Sequence, residues 1–118
     1  MPRYLSMIRI DESAIGDRVP SAALMERMGG LIEEMNSAGV LVDTAGLKRT
    51  AEGARLHWTK SKLTVTDGPF TEAKEVVGGY AILRTRDKAE AIEWTKRFLR
   101  IHGDEYTLTC EVREIEEM

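Results

Sequence analysis

Asp67, Glu72, Lys74 and Glu75 bring three carboxylates and an ammonium into nine residues, Asp67-Gly68-Pro69-Phe70-Thr71-Glu72-Ala73-Lys74-Glu75. Such a cluster can bind a small charged ligand, or it can move a proton if one carboxylate reaches an open pocket beside a second titratable group. The bland alternative is a buttressed turn with solvated charges. Gly68 can adopt a positive φ, Pro69 fixes its own φ and removes an amide donor, and an Asp at position 67 can accept backbone amides two residues on. Phe70 is then an apolar plug that anchors the turn to the core.

Other residues carry chemistry more thinly. His57 falls on the polar side of an alternating apolar-polar stretch, where a neutral imidazole can serve as a base near pH 7 or simply face solvent. His102 follows an amphipathic segment and suits a cation at a helix C-terminus. Glu111 and Arg113 are two apart, so both side chains share one strand face. Arg113 can grip a ligand carboxylate at two points, or bridge to a neighbouring strand. Cys110 is the only cysteine. That excludes an internal disulfide, and its alternating setting suits a small buried hydrophobe better than a thiolate. With two distant histidines and this cysteine there is no metal-ligand spacing, so neither metal nor other cofactor is expected.

Bulk properties bound the answer. At 118 residues, 42% apolar and 31% charged, the chain has the make-up of one globular domain, residues 1–118, large enough for its own core. Seventeen basic and twenty acidic residues are interspersed, giving a net charge of −3. No basic block points to nucleic acid. The chain opens without a basic segment and long apolar run, and no apolar stretch approaches a membrane span, so a cytoplasmic location is expected.

The elements that must position these residues follow from periodicity. Arg3 to Ile10 reads as a strand and Asp11 to Val19 as a loop. Ser21 caps a helix whose stripe is Leu24, Met28, Leu31 and Met35, ending at Gly39. Gly29-Gly30 inside that helix predicts a close backbone approach or a local irregularity. Val40 to Val42 is a short apolar run followed by a looser segment, Asp43 to Gly53. Arg55 to Lys60 and Leu63 to Asp67 alternate and form a hairpin with its turn near Ser61-Lys62. Val76 to Thr85 is a strand. A second helix begins at Asp87, with Glu90 completing a capping box. Ala91, Trp94, Thr95 and Phe98 form its inner stripe, and Glu93 and Arg97 are spaced to pair. Thr107 to Ile115 is the last strand.

This order, β-α-β-hairpin-β-α-β, predicts an α+β, ferredoxin-like split βαβ domain with an inserted β-hairpin. Two helices cover one sheet face. Tyr4, Ile8, Trp58 and Tyr80 are candidates for the other, and an uncovered apolar face predicts a homodimer.

The nonamer, the segment Ser37-Ala38-Gly39-Val40-Leu41-Val42, the Gly46-Leu47 after it, Gly78-Gly79-Tyr80, Ala89 to Trp94 and the closing Glu111-Val112-Arg113 together resemble the YCII-related family in its DGPF-motif branch. Thr71 and Ala73 stand where that branch commonly has Ala and Thr. The resemblance implies pairing into a dimeric α/β barrel with a cleft near the interface. It also implies a functional link, for members of that branch, to extracytoplasmic-function sigma factors. An acid-base pair of a first-helix histidine and an aspartate, proposed in the wider family, does not carry over, because the helix from Ser21 to Ala38 has no histidine. The function expected is a small-molecule-binding or regulatory module for a polar or anionic ligand, with Glu72, Lys74, Glu111 and Arg113 as contacts. The alternatives are a lyase- or isomerase-type enzyme with Asp67 as base assisted by His57 or Lys74, and a structural dimer without ligand.

Overall fold

The computed structural model describes residues 1–117. The elements run β1 (Arg3–Ile10), α1 (Glu12–Ile15), α2 (Ala22–Ser37), β2 (Leu41–Gly46), a single 3₁₀ turn (Thr50–Glu52), β3 (Ala54–Thr59), β4 (Lys62–Asp67), β5 (Val76–Arg84), α3 (Lys88–Arg100) and β6 (Thr109–Glu114). β2, β5, β1 and β6 lie in that order in one antiparallel sheet, and β3 and β4 form a separate ribbon. This is a mixed α+β arrangement with ferredoxin-like strand order, and among the described residues no barrel closes.

Both long helices start where their caps dictate. The Ser21 hydroxyl accepts from the Leu24 amide at 3.1 Å, and the Asp87 carboxylate from the Glu90 amide at 2.9 Å. The second cap differs from a full capping box, because the Glu90 carboxylate reaches back to the Arg86 amide and not to that of Asp87. Gly39, at φ 71°, ends α2. Leu31, Met35 and Ala91 meet Tyr4, Val40 and Leu83 in the core, with Trp94 and Phe98 packed against them. Each large side chain so buried contributes about 1.5–3 kcal/mol. Glu93 pairs with Lys96 at 2.9 Å, while Arg97 reaches across to Glu34 on α2 at 2.7 Å, so the expected Glu93–Arg97 pair does not form.

Gly29 and Gly30 correct another expectation. The helix runs through both, and a Cβ built at either meets nothing within 4 Å. They therefore only weaken the helix. Gly29→Ala and Gly30→Ala should each stabilise the fold by about 1 kcal/mol in urea unfolding.

The sheet has two faces of different fate. Tyr4, Ser6, Ala81, Leu83, Cys110 and Val112 lie under the helices. Leu5, Met7, Tyr80, Ile82, Glu111 and Arg113 alternate with them and face the open side. Tyr4 and Ile8, expected on the open side, are thus on the helix side. Trp58 is not in this sheet at all, and of those four candidates only Tyr80 is on the open face. Gly78 is an extra residue on β5: Ile8 pairs with Gly79, and Arg9 with Val77. That bulge turns Val77 onto the open face beside Arg9.

The hairpin is regular from Ala54↔Asp67 to Thr59↔Lys62. Its two-residue turn is Lys60-Ser61, with φ of 51° and 64°, the left-handed pair that matches the twist of a ribbon. Every residue of both strands is exposed.

Candidate functional site

The segment expected to be a loop after β1 holds the centre of the site. Asp11 caps α1, accepting from the Ser13 hydroxyl at 2.6 Å and from the amides of Ser13 and Ala14. The Ser13 hydroxyl, above all, holds the Asp11 carboxyl below its usual range. Glu12, next along, points its carboxylate at Thr50. One oxygen accepts from the Thr50 amide at 2.8 Å, the other from its hydroxyl at 2.6 Å. These two bonds, the hydroxyl's first, lower the Glu12 pKa against the opposing effect of burial. The Thr50 hydroxyl, its proton committed to Glu12, accepts from the Phe70 amide at 3.2 Å. Two residues earlier, the Gly68 amide donates to the Gly53 carbonyl at 2.9 Å.

The Asp-Gly-Pro-Phe turn is therefore fixed by a polar clamp, Glu12–Thr50–Phe70. Gly68 is not in a positive-φ conformation, and the Gly68–Pro69 peptide is cis. Glycine is required there for a different reason. A Cβ on residue 68 would lie 1.5 Å from the Thr50 carbonyl oxygen. Nor is Phe70 a core plug. Its ring is half-buried under the Arg55 guanidinium, 4.0 Å from the ring centre. Arg55 is held in turn by Glu72 at 2.6 Å.

Phe70 stands between two open clefts. One, of about 370 Å³, is lined by Asp11, Glu12, Arg49, Phe70 and Thr71. The other, of about 490 Å³ on the open sheet face, is lined by Arg9, Arg55, Phe70, Glu75 and Glu111. In the second, the Glu111 carboxylate lies 3.9 Å from Arg9 and 3.8 Å from Arg113. Those separations are ion-pair distances beyond hydrogen-bond length, so both guanidinium groups keep donors for a ligand.

The residues singled out in the sequence distribute unevenly over this geometry. Glu111 lines the second cleft, and Arg113 flanks it on the same face. Glu72 reaches the site through Arg55; a bond from its own amide, then Arg55, lowers its pKa. Lys74 is exposed beyond the first cleft, near enough to help hold the Asp11 carboxyl down. Asp67 ends β4, exposed, and its carboxylate accepts no hydrogen bond among the described residues, so the amide-bonded brace expected there is absent. His57 pairs with Thr64 and bonds Thr59 at 2.6 Å. Strand alternation in this unbroken ladder puts Asp67 and His57 on opposite faces of the hairpin. They do not form an acid–base pair within one chain. His102 is buried, with Nδ1–H donating to the Phe98 carbonyl at 2.8 Å and its ring edge-on to Phe98. Burial raises the Cys110 thiol pKa, with a Ser6 hydrogen bond opposing.

Glu12, Thr50, Arg9 and Arg55 were not singled out in advance. Only Asp11-Glu12-Ser13 left a sequence signal, as an Asp two residues ahead of a Ser, the pattern of a cap. The contacts of Thr50 come from residues 38 and 20 positions away, beyond any local spacing.

Among the described residues no group of three or more His, Cys, Asp or Glu side chains could hold a metal ion. No helix of the described residues is long and apolar enough to cross a membrane. The model of the YCII-related domain family matches residues 3–116, nearly the full chain, and the chain belongs to that family. No curated protein matches it.

Proposed function

We propose that this YCII-related domain is a non-enzymatic binding module for a small polar or anionic molecule, working as a homodimer in the DGPF-motif manner. The observation that carries the binding reading is the partition formed by Phe70. A rigidly clamped aromatic ring with a guanidinium over it separates two clefts, and the larger one gathers Arg9, Arg55, Glu75 and Glu111 around that ring. A planar or carboxylate-bearing ligand suits such a setting, since the ring offers a stacking surface and the arginines offer two-point donors. Support for the dimer comes from Leu5, Met7, Tyr80 and Ile82, which no helix covers. Catalysis through Asp67 has weaker support, because His57 leaves the other face of the ribbon.

The test is an amide-resolved NMR titration with a panel of small carboxylates, phosphates and amino acids. Shifts should concentrate at residues 9, 55, 70 and 111. Arg55→Ala should weaken binding by about tenfold or more through loss of a charged donor, while leaving the unfolding free energy within about 1 kcal/mol of wild type. Absence of any shift at these residues across the panel would favour a structural dimer without ligand.

A further inference from the structure

Cross-strand pairing places Leu56 opposite Val65 and Trp58 opposite Leu63 on one face of the hairpin. These four side chains are 64%, 58%, 66% and 59% exposed. A two-stranded ribbon with nothing against it is at best marginally stable in water, and four large apolar groups on one face give it a surface to dock. The same chain carries a second apolar surface that lies away from the helices, the open sheet face, where Leu5, Met7 and Ile82 are half-buried. Charge also fits one to the other. Arg55 is taken by Glu72, but Lys60 and Lys62 at the tip of the ribbon have no carboxylate partner among the described residues. Along the β6 edge Arg9 and Arg113 flank Glu111 and Arg3 holds Glu117, which leaves Glu114 and Glu116 without a cation among the described residues.

We infer that the apolar face of the hairpin is an arm that lies across the open sheet face of a second copy of the chain. Two arms are exchanged about a twofold axis, and each basic tip meets the acidic β6 edge of the partner. The cleft beside Phe70 opens on that sheet face, so the arm of one copy roofs the cleft of the other, and the site is incomplete in a monomer. The inference rests on the dimer proposed above but goes further, because a dimer could pair through its sheets alone.

The chain has two tryptophans, so Trp94→Phe leaves Trp58 as sole reporter. Sedimentation of that protein and of wild type at micromolar concentration should give about twice 13.3 kDa. Trp58 should be protected from acrylamide in the dimer and become quenchable on dilution. Leu56→Ser with Leu63→Ser should weaken self-association by about tenfold or more. Should that variant fail to fold, Lys60→Glu with Lys62→Glu tests the same contact from its charged rim and should also weaken it. A dimer in which Trp58 is freely quenched, or in which both pairs of substitutions leave association unchanged, overturns the arm while leaving the dimer standing. A monomer throughout overturns both.

Discussion

Gly68→Ala is expected to cost about 3 kcal/mol or more in urea unfolding, at the upper end of what overpacking one methyl does. The new Cβ would fall 1.5 Å from the Thr50 carbonyl oxygen and 2.5 Å from its carbonyl carbon. Neither atom is free to withdraw. Thr50 is tied by its amide and hydroxyl to Glu12, and its carbonyl also accepts from the Gly53 amide at 2.9 Å. Gly53→Ala is the natural control. Its Cβ would rest 3.5 Å from the same oxygen, an ordinary contact, with the backbone extended at φ −110°. It should change stability by no more than about 0.5 kcal/mol. A Gly68→Ala cost under about 1 kcal/mol would mean that the 3₁₀ turn yields and the clamp is loose.

Glu12→Gln should cost about 1–3 kcal/mol at neutral pH, because an amide can offer Thr50 only one acceptor where a carboxylate offers two, and its NH₂ group then faces a donor. The cost should depend on pH with a definite sign. The folded-state pKa of Glu12 lies below its ordinary value of 4.5. Its contribution is therefore complete above that value and is lost as pH falls through the lower folded value. Stability curves of wild type and Glu12→Gln should stand apart at neutral pH and converge below about pH 4.5. Asp11, Glu72, Glu105 and Glu117 are also held low, so wild type loses stability in acid from several sources; the difference between the two curves isolates Glu12. A gap that persists unchanged to about pH 3 would show that the charge on Glu12 is not what Thr50 binds.

What the sequence revealed and what it hid divide along physical lines. The helices were legible because their signals are local: Ser21 and Asp87 as caps, Leu24, Leu31 and Met35 as one stripe, Gly39 as a stop. The hairpin was legible from alternation, even with Lys and Ser in a turn that favours Asn and Gly. The strand after α2 was underread, since Asp43 to Gly46 is polar or small yet is held by β5. The helix at Glu12–Ile15 was missed for its shortness. The importance of the Asp-Gly-Pro-Phe run was plain, but its mechanics were not. A positive φ is the usual reason for glycine, whereas here the reason is a carbonyl oxygen from Thr50, a residue that nothing local connects to Gly68. The face on which a side chain lands was the other casualty. Tyr4 and Ile8 followed β1 to the helix side, and Asp67 and His57 parted because the ladder joining them has no bulge.

The hydrogen bond from Gly68 to Gly53 has a consequence for how such a chain can change over time. The backbone leaves the body of the molecule at residue 53 and returns to the same point at residue 68. Everything between is a detour whose ends already touch. Its length can grow, shrink or be exchanged wholesale with little strain on the parts it leaves behind, because closing a loop costs only slowly more as the loop lengthens. The clamp from Glu12 to Phe70 sits outside the detour. Chains of this design can therefore diverge in what they assemble with while keeping the clamp, and a graft of another ribbon between residues 53 and 68 that retains Arg55 over Phe70 is the cheapest way to give this one a new companion.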